Sequence, residues 1–168
     1  NLDLATSNVA LIGAGSVGCE IAHKLSAAGV QNLDIYDPDI YSIDNLYRHV
    51  LPEQFLHWPK ALGLSFSLKR QFLWSKANGY SDKLLELRNR QKLMSYDLIV
   101  IAIGSPTHER LFKEYLLDKE VNVPVINTWL EGFGVGGHAV LDIPESKGCL
   151  LCSYVCSESL ARGLSSNL

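Results

Sequence analysis

The chain has 168 residues, enough for one domain that buries about 70% of the surface its unfolded form exposes, so it can fold without disulfide staples. An apolar share of 47%, a charged share of 20% and a net charge of -3 describe a globular domain with no basic surface for gripping nucleic acid phosphates. No signal peptide opens it and the best apolar run, residues 98–103, is strand-sized, so no membrane span, a cytoplasmic setting and reduced thiols are expected.

The chain enters the apolar run Val9-Ala10-Leu11-Ile12 with no preceding helix or polar leader and ends in Ser165-Ser166-Asn167-Leu168, which reads as a segment of a larger multidomain protein. That run is a short strand stopped by Gly13. Beyond it Val17, Ile21, Leu25 and Ala28 recur at helical spacing up to Gly29, a natural C-terminal cap. Residues 33–36 read as a second strand, ended by Asp37-Pro38-Asp39, because proline cannot continue a central strand. Residues 40–58 lose their period, 60–72 look helical, 74–80 fit no pattern, and 81–93 look like a second, more polar helix. Residues 97–103 are the clearest buried strand, followed by a helix over 107–119, a strand over 124–129, a glycine-rich turn and a strand over 137–141. Strands alternating with helices predict an α/β fold with a doubly wound, mainly parallel sheet in a single domain over 1–168.

Gly13-Ala14-Gly15-Ser16-Val17-Gly18 has the G-x-G-x-x-G form between a strand and the first turn of a helix. Gly13 permits the tight turn, Gly15 lets a phosphate approach bare backbone, and Gly18 lets helix and strand pack closely, while the helix start supplies unpaired amides. Asp37 follows at the end of the second strand, where a carboxylate can accept from ribose hydroxyls. This pattern serves NAD or FAD as well as ATP.

The discriminating stretch is Asp37-Pro38-Asp39, then Ser42-Ile43-Asp44-Asn45-Leu46-Tyr47-Arg48, then Lys60 opening a helix. A bent triphosphate attacked at its α-phosphate calls for an acid on the ribose, an amide, and two long cations on the phosphates. Here the sequence resembles the ubiquitin-activating and ThiF/MoeB family, with its glycine loop, D-x-D, S-x-x-N-L-x-R and helix-opening lysine. The resemblance runs on through residues 96–100, 107–110, 127–131 and 148–152. It implies a ThiF-type, Rossmann-like adenylation domain that binds ATP and magnesium through Gly13, Gly15, Gly18, Asp37, Asp39, Asn45, Arg48 and Lys60. Arg48 and Lys60 then act catalytically on the phosphates. The implied reaction is adenylation of the C-terminal carboxylate of a ubiquitin-like or other protein, with thioester transfer as a further step. Residues 45–51 and 129–138 are closest in flavour to bacterial multidomain members carrying a conjugating-enzyme-like domain, and a homodimer is also implied.

Cys149-Leu150-Leu151-Cys152 is half of a tetrahedral zinc site. In the family a later pair completes it, and Cys156 is the one candidate here for a catalytic thiol. Cys19 reads as a small core residue, His49, His57 and His108 as structural or surface groups, Trp58 and Trp74 as packing, Trp129 as ligand-facing or core-capping, and Glu131 as ligand-facing and, with Asp39, a candidate acid for magnesium. One departure stands out, because Gly104 occupies the place of the aspartate that in the family helps hold magnesium. Two alternatives follow: an NAD-dependent oxidoreductase, which leaves Arg48 and Lys60 unexplained, and a non-catalytic scaffold of the same fold.

Overall fold

A computed structural model describes residues 2–144, 146 and 148–154. Six strands form one sheet: β1 (Asn8–Ile12), β2 (Asn32–Tyr36), β3 (Asn78–Tyr80), β4 (Leu98–Ile101), β5 (Val125–Leu130) and β6 (Gly137–Asp142), in spatial order β3-β2-β1-β4-β5-β6. Every pairing is parallel except β5 with β6, a hairpin in register from Val125 opposite Asp142 to Leu130 opposite Gly137. The α/β fold with a doubly wound, mainly parallel sheet read from the sequence is the observed one.

The central strands are apolar without alternation because both faces are covered. Val9, Leu11, Leu33 and Ile35 face α2 (Ser16–Ala28) and α3 (Lys60–Gln71), where Cys19, Ala22, Leu64 and Leu68 complete one core. Ala10, Ile12, Ile99, Ile101 and Val125 face α5 (Pro106–Asp118), which contributes Phe112 and Leu116 to the second. Gly29 ends α2 at φ 109°, its amide reaching the Leu25 and Ser26 carbonyls, the left-handed cap its position predicts.

Two expectations fail, and one unassigned stretch gains an element. A short helix, α1 (Leu2–Thr6), precedes β1, where no helix was expected. Residues 74–80 contain the edge strand β3, too short for a period and centred on Gly79, where a Cβ would lie 2.3 Å from the Ala61 carbonyl oxygen. The helix expected over 81–93 is instead a 3-10 turn, Leu84–Leu87, and a single turn, α4 (Arg90–Leu93). Asn89 divides them by capping α4, its side chain accepting from the Lys92 amide at 3.1 Å, so local capping overrides a continuous helix. The stretch without period, 40–58, holds two further 3-10 turns, Ile43–Asn45 and Glu53–Phe55. A last helix, α6 (Leu150–Tyr154), follows β6.

Candidate nucleotide site

Strand order reverses at β1, which pairs with β2 on one side and β4 on the other. Chain connections leave this switch point in opposite directions, so a crevice opens beyond the C-terminal strand ends. Two cavities meet there, of about 400 Å³ and about 230 Å³, sharing Gly15, Lys60, Ala102 and Ile103.

The glycine loop forms their common floor. Gly13 has φ 100°, and a Cβ there would lie 2.6 Å from the Ala102 carbonyl oxygen; a Cβ on Gly18 would lie 1.9 Å from the Gly13 carbonyl oxygen. Both positions therefore require glycine for internal packing. Gly15 differs, since a Cβ there meets nothing within 4 Å and would project into open space. Its amide has no acceptor among the described residues.

Asp37 ties β2 to this loop. Its Oδ2 accepts from the Ala14 amide at 2.6 Å and its Oδ1 from the Asp39 amide at 2.8 Å, and burial pushes its carboxyl above the usual range against those two bonds. Each oxygen keeps a further lone pair. The larger cavity extends from Asp37 past Tyr36, Leu84 and Leu85. Those leucines come from a turn that no sequence motif marked; only chain reversal after β3 brings them here.

Asn45, Arg48 and Lys60 all line the smaller cavity, and Lys60 lines both. Asn45 is buried, its Oδ1 accepting from the Ser42 amide at 3.1 Å and the Ser42 hydroxyl at 3.2 Å, and its NH2 has no acceptor among the described residues. The Lys60 side chain is 10% exposed and its Nζ lies 2.8 Å from Asp39 Oδ2, on a carboxylate that is itself 64% exposed. Arg48 is exposed, stacks over Tyr47 at 5.6 Å, and forms no ion pair among the described residues.

Gly104 also lines the smaller cavity, at φ 63° and with open space around it. Glu131 is turned to His138, 2.5 Å from its Nε2, and lines neither cavity. Trp129 is buried against His138, with ring centroids 4.9 Å apart, and also forms part of the smaller cavity's wall. His49, assigned no chemistry from the sequence, lines the same cavity and bonds the glycine loop at the Ala14 carbonyl, 2.6 Å away.

Cys149 and Cys152 lie apart from the cleft with sulfurs 3.7 Å apart. Two thiolates each about 2.3 Å from one tetrahedral ion are separated by about that distance. Among the described residues no group of three or more His, Cys, Asp or Glu could hold a metal, and Cys156 lies outside them. No helix among the described residues is long and apolar enough to cross a membrane.

A model of the ThiF family matches residues 1–164. The chain belongs to the ThiF family. It is 32% identical over 102 residues to the adenylyltransferase and sulfurtransferase MOCS3 of Dictyostelium discoideum, covering 60% of this chain and 24% of that protein. It is 30% identical over 160 residues to the adenylyltransferase and sulfurtransferase UBA4 of Eremothecium gossypii, covering 90% and 34%. With the NEDD8-activating enzyme E1 catalytic subunit of D. discoideum it shares 27% over 161 residues, covering 86% and 35%. The chain thus spans a quarter to a third of these relatives. A crystal structure of E. coli MccB with AMPCPP and MccA shares the fold at a TM-score of 0.72 and 20% identity, covering 95% of this chain and 46% of MccB.

Proposed function

We propose that this ThiF-family domain binds ATP and adenylates the C-terminal carboxylate of a ubiquitin-like or other protein. The observation that carries this reading is one cleft lined by Asp37, Asn45, Arg48 and Lys60 around the bare backbone of Gly15. Relatives named as adenylyltransferases, and an MccB structure with an ATP analogue and MccA, support it.

In this reading adenosine occupies the larger cavity, with the ribose hydroxyls donating to the free lone pairs of Asp37. The phosphates lie over Gly15, where the start of α2 and its unpaired amides favour an anion. Asn45 donates to a phosphate oxygen, and Lys60 and Arg48 neutralise charge. The substrate carboxylate attacks the α-phosphorus and the α–β bridging P–O bond breaks. The products are an acyl-adenylate and pyrophosphate. Lys60 and Arg48 stabilise the charge gathering on the departing pyrophosphate, so positioning and electrostatics supply the catalysis.

Magnesium would arrive on the triphosphate, taking one or two protein oxygens at most. Asp39 is the better-placed acid for it, because it lines the cleft beside Lys60 while Glu131 is held by His138. The same 3.7 Å sulfur separation supports structural zinc at Cys149 and Cys152, completed by ligands elsewhere in the protein. For a homodimer, the exposed apolar side chains Tyr47, Trp58, Leu62 and Phe66 offer surface that a second copy could cover. A conjugating-enzyme-like partner domain and a thioester step rest on the sequence resemblance alone.

The test is exchange of labelled pyrophosphate into ATP by the full-length protein, with and without its protein substrate. Exchange that depends on substrate supports the reading. Thermal stabilisation by NAD and not by MgATP would overturn it in favour of an oxidoreductase. Nucleotide binding with no exchange in the presence of the true substrate would favour the scaffold, which the glycine at position 104 motivates.

A further inference from the structure

The backbone of Ala14 is held at both its N–H and its carbonyl. Its N–H donates to Asp37 Oδ2 at 2.6 Å, and its carbonyl lies 2.6 Å from His49 Nε2. On the other edge of the ring, Nδ1 lies 3.1 Å from the Leu51 amide nitrogen. A backbone N–H can only donate and a carbonyl can only accept. Both contacts are therefore satisfied by one form of histidine, the neutral ring with hydrogen on Nε2.

The rest of the environment locks the ring in place. It packs on Tyr41 with centroids 5.0 Å apart, and the buried Tyr41 hydroxyl donates to the Leu51 carbonyl at 2.5 Å. The charged groups that act on His49 are Lys60, Asp37 and Arg48, and Cys19 of α2 acts on Tyr41. Burial pulls the imidazole below its ordinary range, with the two cations adding to that pull.

The consequence falls on Gly15. The Ala14 carbonyl and the Gly15 N–H belong to one planar trans peptide, so they point in opposite directions. A carbonyl anchored on His49 turns the Gly15 N–H away from His49, and that amide has no acceptor among the described residues. Without the anchor the peptide could rotate through the glycine's freedom and lose its aim.

We propose that His49 is a positioning residue: as the neutral Nε2–H tautomer it holds the Ala14 carbonyl and thereby aims the Gly15 amide at a phosphate in the cleft. This rests on the nucleotide reading above. Glutamine should replace it, since its side-chain amide offers one acceptor for Leu51 and one donor for Ala14 on a single planar group. Alanine offers neither.

The experiment uses the isotopically labelled full-length protein, with the parent, His49→Gln and His49→Ala forms compared. Long-range nitrogen–proton spectra should show His49 with hydrogen on Nε2 at pH 7. The Gly15 amide should exchange faster and shift in His49→Ala, and return towards the parent value in His49→Gln. MgATP affinity by calorimetry should fall about three- to ten-fold in His49→Ala, the loss expected for one hydrogen bond, and recover to within about twofold in His49→Gln. A ring protonated on Nδ1 at pH 7, or a Gly15 amide equally unchanged in both variants, overturns the proposal. So does equal ATP affinity in all three proteins. Failure of the parent to bind ATP would sink the nucleotide reading instead, and the tautomer and the Gly15 amide would still decide the role of His49.

Discussion

Replacing Lys60 by methionine separates ligand recognition from folding. The ammonium is 10% exposed, faces Asp39 at 2.8 Å and borders both halves of the cleft. A phosphate about 4 Å away would attract it with about 4 kcal/mol at an effective dielectric constant of about 20. Desolvation and competition from Asp39 reduce this to about 1.5–3 kcal/mol, the usual worth of a charged hydrogen bond. MgATP affinity should therefore fall about 10- to 150-fold. The fold should lose little: Asp39 is 64% exposed, so the ion pair counts as a surface one worth about 0–1 kcal/mol, and methionine still fills the stem's path along α3. Calorimetry with MgATP alongside denaturant unfolding reads both quantities on one sample. Unchanged affinity would show that Lys60 serves only Asp39; a loss of stability as large as the loss of binding would show that the two effects had not been separated.

Gly15→Ala should leave the unfolding midpoint within about 1 kcal/mol of the parent yet weaken ATP binding at least about tenfold, because its Cβ enters open cleft space. Gly18→Ala should destabilise by about 3 kcal/mol or more, because its Cβ collides with the Gly13 carbonyl; matching behaviour of the two variants in melts and titrations would refute this division. Asp34 accepts from Tyr96 at 2.7 Å, Lys92 at 3.0 Å and Asn78 at 3.1 Å, and although burial acts to raise its carboxyl, these bonds bring it below the ordinary 3.8. Its stabilisation is then complete above about pH 4 and lost as pH falls through the lowered value, so Tyr96→Phe should cost about 1–3 kcal/mol at neutral pH and less in acid. A pH-independent gap between the unfolding curves of the two proteins would argue against it. Full-length protein purified without chelator should carry zinc by elemental analysis, and Cys149→Ser or Cys152→Ser should remove it; a metal-free parent ends that reading.

Much of the fold was legible because its strands announce themselves locally. Val9 to Ile12 and Leu98 to Ile101 are unbroken apolar runs, and the Gly29 cap and the Pro59-Lys60 helix start are signals within a few residues. The sequence by itself also named residues that line the cleft, through the order of glycine loop, Asp37, Asn45, Arg48 and Lys60. Tertiary structure alone decided what those groups do to one another. β3 exists because Gly79 lets the chain pass against the Ala61 carbonyl, and no local pattern reports such an approach. Leu84 and Leu85 reach the cleft only through the path after β3, and His49 meets Ala14 across 35 positions of sequence. The same holds for the glycines, which look alike in the motif: packing demands Gly13 and Gly18, whereas Gly15 faces empty space, and that difference is set by neighbours distant in the chain.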